Sequence, residues 1–124
     1  MSRDRNVLGE PLTPCCHDPV TGFYRDGFCR VGVEDQGIHA VCAMVTEEFL
    51  AYSRAQGNDL VTPRPEFGFP GLTPGDRWCL CANRWKEAAD VGLAPPIILS
   101  ATHEKALETI SLKLLRQHAL DAAR

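Results

Sequence analysis

Six cysteines, at positions 15, 16, 29, 42, 79 and 81, are the residues of this chain most able to do chemistry. Thiolates bind zinc and other soft metals, attack electrophiles, or pair by oxidation. Cys79 and Cys81 stand in the stretch Gly75–Trp85, which also holds two tryptophans, two arginines and an acid. On an extended chain alternate residues share a face, so Cys79 and Cys81 lie on one side and Trp78 and Leu80 on the other. Their Cα atoms would then stand about 6.5–7 Å apart, at or beyond the reach of a disulfide. Two thiolates so placed can still fill two corners of a tetrahedral site. The metal reading therefore takes Cys79, Cys81, Cys42 and Cys15 as ligands, with zinc the metal that suits them. Cys16, His17, Cys29 and His39 are further candidates. The spacing departs from the C-x2-4-C of known zinc knuckles, since the close pairs are adjacent or separated by one residue.

A second chemistry is a nucleophilic or redox thiol. Cys81 precedes the expected helix cap Asn83 by two residues and lies between Arg77 and Arg84. Cys15 stands in a loop beside Cys16 and His17. Cations and helix N-termini are what activate a thiol, so Cys81 or Cys15, helped by Arg77 or His39, form the catalytic set. A third is a polar pocket for a small molecule, built from charged residues in or beside turns (Asp18, Arg25, Asp59, Arg64, His103 and Glu104 among them), with Arg77 and Arg84 gripping a carboxylate or phosphate through their planar forks, and Asp76 and Asp26 beside them. Against all three stands plain packing. A free cysteine is a small apolar residue, and Asp26 and Asp76 are natural loop braces.

The elements that must position these groups follow from pattern. His39–Val45 is a continuous apolar run of strand length. Thr46 caps a helix with Glu47 and Glu48 in its first turn, ending at Gly57. Residues 57–76 contain four glycines and four prolines. With Leu60, Phe67, Phe69 and Leu72 as apolar anchors, they are expected to form an ordered loop lying over the core. The strand Arg77–Cys81 follows, then a helix over 84–91 with Trp85, Ala88 and Ala89 inward. Ile97–Leu99 reads as a second buried strand. Thr102 caps a helix over 103–109, and Ser111 caps a last amphipathic helix bearing Leu112, Leu115 and Ala119. Residues 7–36 are turn-rich: three prolines fall within 10–19, and Asp26-Gly27 marks an irregular hairpin packed through Phe23, Tyr24 and Phe28. The class is α+β, a small sheet with a few helices packed on it and long ordered Gly/Pro-rich loops.

A chain of 124 residues is expected to make one domain, 1–124, with 1–6 and 120–124 frayed. It can bury a core without metal or disulfide. A net charge of −3 gives no general attraction to nucleic acid or to an anionic membrane. No run approaches the ~18 apolar residues of a membrane span. The charged N-terminus is unlike a secretory signal, so a cytoplasmic protein is expected, and stable disulfides are not expected in that reducing compartment.

Several stretches carry a family resemblance: Thr21–Gly27, Thr46–Leu50, Gly57–Leu60, Phe69–Leu72, Pro74–Cys81, Arg84–Ala88 and Ala101–Glu104. Together they resemble the bacterial domain-of-unknown-function family 2237 across residues 6–120. The resemblance implies a single small cytosolic domain and brings no catalytic assignment. The sequence reading is thus a small-molecule or metal-binding module. Its site lies between the 57–76 loop, the Cys79/Cys81 strand and the Pro-rich 10–19 segment. The alternatives are a thiol-dependent enzyme and a non-catalytic protein-interaction domain.

Overall fold

A computed structural model describes residues 4–16, 21–22, 24–33, 35, 37–67 and 69–121, with the Phe67 side chain excepted. His17, which was a ligand candidate, Asp18, a pocket candidate, and Phe23, an expected anchor, lie outside the described residues. Strands β1 (Val41–Met44) and β2 (Arg77–Leu80) pair antiparallel, with Cys42 opposite Cys79 and Ala43 opposite Trp78. Helix α1 (Glu47–Ala55) follows β1, α2 (Ala82–Asp90) follows β2, and α3 (Leu112–Gln117) closes the chain. Short 3-10 turns lie at Pro65–Phe67, Leu99–Ala101 and Glu104–Glu108. This is an α+β fold. Among the described residues no helix is long and apolar enough to cross a membrane.

The period-2 pattern sorts the two faces of the sheet. Val41, Ala43, Trp78 and Leu80 join the main apolar core with Phe49, Trp85, Leu99, Ile110 and Leu115. Cys42 and Cys79 face the other way and pack with Cys15, Cys29, Ile98 and Ala101. Thr46 caps α1 by accepting from the Phe49 N–H, and Ser111 caps α3 by accepting from the Leu114 N–H. Each leaves one fewer orphan donor at its helix start.

Other elements depart from expectation. The Ile97–Leu99 segment does lie along the free edge of β1. Met44 N–H donates to Pro96 and Ile98 N–H to Cys42, but the contact is a single bridge, Ile97 with Ala43. Pro95 and Pro96 have no N–H with which to extend a ladder, and the chain turns into 3-10 geometry at Leu99. Helix α2 starts at Ala82, so Cys81 occupies the cap position and Asn83 lies exposed within the first turn. The helix expected over 103–109 is a 3-10 turn capped by His103, whose ring accepts from the Lys105 N–H. Asp26-Gly27 makes a turn with no flanking strand among the described residues: Gly27 N–H donates to Thr21, and the Gly27 carbonyl accepts from Cys15 and Cys16.

The expected frayed ends are held from Asp4 to Asp121. Asn6 is buried; its Oδ1 accepts from Leu8 and Glu10, and its amide donates to Ser100. The Asp121 carboxylate accepts from the N–H groups of Leu99 and Ser100. These two side chains satisfy backbone donors that no ladder reaches.

The expectation of unbridged thiols is overturned. Cys15 is bonded to Cys42, and Cys29 to Cys79, with Cα–Cα separations of 5.6 and 5.3 Å, inside the usual range for a disulfide. Cys42 and Cys79 present their sulfurs on the same sheet face, yet each pairs with a partner from the turn-rich segment laid across that face. The bridges therefore tie Cys15 and Cys29 to the two strands of the sheet.

Candidate functional site

A cleft opens where the 57–76 loop folds against β2. Arg64 and Phe69 exchange two backbone hydrogen bonds, of 2.7 and 3.0 Å, and Leu72 N–H donates to Leu60. This makes the segment a closed, ordered loop. Gly71 allows it, since φ there is +81° and a Cβ would strike the Val61 carbonyl oxygen. Phe69 then packs edge-on against Trp78, ring centroids 5.1 Å apart. The loop lies over β2 as expected.

The larger part of the cleft has a volume of about 380 Å³ and is walled by Arg25, His39, Asp59, Arg64, Phe69 and Trp78. A smaller part, about 210 Å³, shares His39, Leu60, Trp78 and Cys79 and adds Asn58, Cys81 and Arg84. Arg25 is aimed by its own backbone. It has φ +55°, its Nη1 donates to the Gly22 carbonyl at 2.7 Å, and its guanidinium lies 5.2 Å from the Trp78 ring centre. Gly22, at φ +101°, is needed because a Cβ would collide with the Phe28 carbonyl oxygen.

Asp35 is buried and accepts twice from the cleft residue His39, from its Nδ1 at 2.7 Å and from its backbone N–H at 3.0 Å. The carboxylate fixes the direction of a half-exposed imidazole. Ile38, immediately before His39, is held at φ +51°. A left-handed β-branched residue is rare and costly, on the order of 1–3 kcal/mol. Among the described residues the two non-glycine positions with left-handed φ are thus Arg25, which lines the cleft, and Ile38, which precedes the cleft residue His39.

Three arginines and one carboxylate line the two parts together, so the wall is net basic. That carboxylate, Asp59, is committed to its own turn. The Thr62 hydroxyl donates to it at 2.6 Å and the Val61 and Thr62 N–H groups at 2.9 and 3.1 Å, and these bonds hold its pKa down to about 2. Arg84 Nη1 donates to Gln56 and lies 3.5 Å from Glu87, which orients it across the mouth.

Of the residues singled out from sequence, His39, Arg84, Cys79 and Cys81 meet at the cleft. Arg77 is exposed on β2 and lines neither part. Asp76 takes the Thr73 N–H at 2.9 Å and Asp26 takes the Phe28 N–H and the Arg30 guanidinium, so both brace turns. Cys81 Sγ donates to the Gly37 carbonyl. It lies apart from the cluster that contains Cys15, Cys29, Cys42 and Cys79, because Cys81 leaves the strand at the cap position of α2; of the four cysteines expected to share a site, Cys15, Cys42 and Cys79 are together and Cys81 is not. With its sulfur in a bridge, Cys15 offers no nucleophile. The described part of the Pro-rich segment packs behind the sheet and does not wall the cleft. Arg25, Asp59 and Arg64, turn-flanking charged residues expected of a polar pocket, do line the cleft, whereas Asp35, which holds His39 from below the surface, was missed. The turn dipeptide Asp26-Gly27 was the available signal for Arg25, because it marks a chain reversal whose tip must point somewhere.

Fold and site define a small disulfide-bridged α+β domain with a basic, aromatic-walled cleft over its second strand. The profile of the domain-of-unknown-function family 2237, described as an uncharacterized protein conserved in bacteria, matches residues 5–119, and the chain belongs to that family. No curated protein matches it.

Proposed function

We propose that the protein is a binding module for a small organic anion, a carboxylate or phosphate carried on a flat apolar body. The observation that carries this reading is the ring of Arg25, Arg64 and Arg84 around the Trp78 and Phe69 faces. Guanidinium forks suit planar anions, and the aromatic faces suit an apolar body. The backbone strain at Arg25 and Ile38 supports it, since such strain is kept where surrounding structure holds a side chain for use. Phenyl phosphate is the probe. It should change tryptophan emission saturably, more weakly at high salt, with Arg64→Ala and Arg25→Ala losing most of the affinity and Arg77→Ala keeping it. Emission that does not saturate, or an equal response in Trp78→Phe, would overturn the reading.

A second reading rests on one further observation: the buried Asp35 orients His39 in the same cleft part that Cys81 lines. An imidazole and a thiol lining one cleft part, with a buried carboxylate bonded to the imidazole, are the parts of a thiol nucleophile site. Iodoacetamide should then alkylate Cys81 faster than Cys16 in the folded protein, and His39→Ala should abolish the difference. Equal rates would remove this reading.

A further inference from the structure

On the sheet face opposite the main core, four cysteines pack together, and of these Cys79 also lines the cleft. The Sγ atoms of Cys15, Cys29 and Cys79 all lie within 4.8 Å of one another, and the fourth, Cys42, is bonded to Cys15. None of the four residues is more than 3% exposed. We propose that in the reduced protein Cys15, Cys29, Cys42 and Cys79 form a closed tetrathiolate site for one Zn2+. This inference does not depend on the cleft or on what the cleft binds.

The geometry carries it. A tetrahedral zinc–thiolate centre has Zn–S of about 2.3 Å and hence sulfurs about 3.8 Å apart. The Cys15 sulfur needs to approach those of Cys29 and Cys79 by about 1 Å at most, sulfurs now bonded need to part, and Cys42 must turn in from its bridge to Cys15. Side-chain rotation supplies movements of this size without shifting a strand. The backbone beneath is fixed. Cys42 and Cys79 are register partners on β1 and β2, and their N–H groups donate to the buried hydroxyls of Thr102 and Thr21 at 3.2 and 2.8 Å. Cys15 N–H donates to Gly27 two residues before Cys29. Four protein sulfurs with no solvent-facing corner make a structural rather than a catalytic centre. The linear spacing hides it, because two ligands come from the turn-rich segment and one from each strand.

The chemistry balances with a dithiol reductant of the thioredoxin type. Each bridge takes two electrons and two protons and becomes two thiols, while one dithiol becomes a disulfide. Zn2+ then displaces the four thiol protons, leaving a centre of net charge −2. Oxidation by a disulfide reverses the sequence and releases the metal.

The test uses the full chain, reduced anaerobically with a phosphine and given Zn2+ or Co2+. About one metal per chain should survive gel filtration, and Co2+ should show the charge-transfer and d–d bands of tetrahedral sulfur ligation. Zinc should shield Cys15, Cys29, Cys42 and Cys79 from maleimide, with Cys16 and Cys81 still labelled. Oxidised protein should take none, Cys16→Ser should bind as the parent does, and Cys29→Ser should lose the bands. If reduction unfolds the chain, zinc must restore its circular dichroism. Fewer than about 0.2 metal ions per reduced chain, shielding of Cys81 in place of Cys29, or no restored fold would each overturn the proposal.

Discussion

Removing the Cys29–Cys79 bridge, as Cys29→Ala with Cys79→Ala, isolates what one crosslink contributes. The bridge joins residues 50 apart in sequence. In the chain-entropy account, closing a loop of that length removes about 14 cal/mol/K from the unfolded chain, or about 4 kcal/mol at 25 °C. A domain of this size has a total stability on the order of 5–15 kcal/mol, so the loss is a large share of it. With a urea slope of about 1.5 kcal/mol/M, the midpoint should fall by roughly 2–3 M. The measurement is equilibrium urea unfolding of metal-free protein by tryptophan fluorescence, with Cys15–Cys42 left intact. That second bridge spans 27 residues and shortens the unfolded chain on its own, so the observed loss should sit at or below the single-loop figure. A loss under about 1 kcal/mol would refute the reasoning. It would mean that the turn-rich segment stays docked on the sheet by packing alone, or that the unfolded chain is already compact there.

His103 is buried, and desolvation lowers its pKa against the opposing pull of Asp4 and Glu104. In the neutral ring Nδ1 accepts from Lys105 N–H and Nε2 faces the Asp4 carboxylate at 3.3 Å, so a second proton would break the cap. Its contribution to stability is therefore complete above the unfolded value near 6.5 and is lost as pH falls through the lower folded value; His103→Asn should flatten the urea-midpoint slope below pH 6.5, and an unchanged slope would count against it. Asp59 should titrate near pH 2 by carbon NMR, and Thr62→Val should raise that midpoint, because the Thr62 hydroxyl is the largest cause of the depression; a midpoint near 4 in the parent protein would contradict the turn described. Gly71→Ala should cost about 1–3 kcal/mol and weaken the near-ultraviolet signal of Trp78, since the loop can no longer close over it; a variant as stable as the parent would show that Val61 yields.

Sequence pattern resolved the faces of β2 well. Trp78 and Leu80 went to the main core and Cys79 to the other side because strand alternation is a local rule. The caps at Thr46 and Ser111 were legible for the same reason. So was the loop over Trp78, since Phe69 and Leu72 had no other core to reach. Cysteine pairing was not legible: Cys15–Cys42 and Cys29–Cys79 depend on how a turn-rich segment crosses the sheet, and no local rule gives that path. The cleft was half legible. Its floor follows from alternation, but Arg25 and His39 reach it through left-handed residues at 25 and 38 that propensity disfavours. Ile97–Leu99 misled because an apolar run was read as a strand, although the two prolines just before it have no N–H to give a ladder.

The two crosslinks interleave: 29 falls between 15 and 42, and 42 falls between 29 and 79. A protease that cuts the backbone once, anywhere from 16 to 78, therefore releases nothing. Both pieces stay joined by at least one bond, and the nicked molecule migrates as a single species until a thiol is added. Exposed stretches such as Val61–Glu66 can thus be severed while the fragments remain held together in the same molecule.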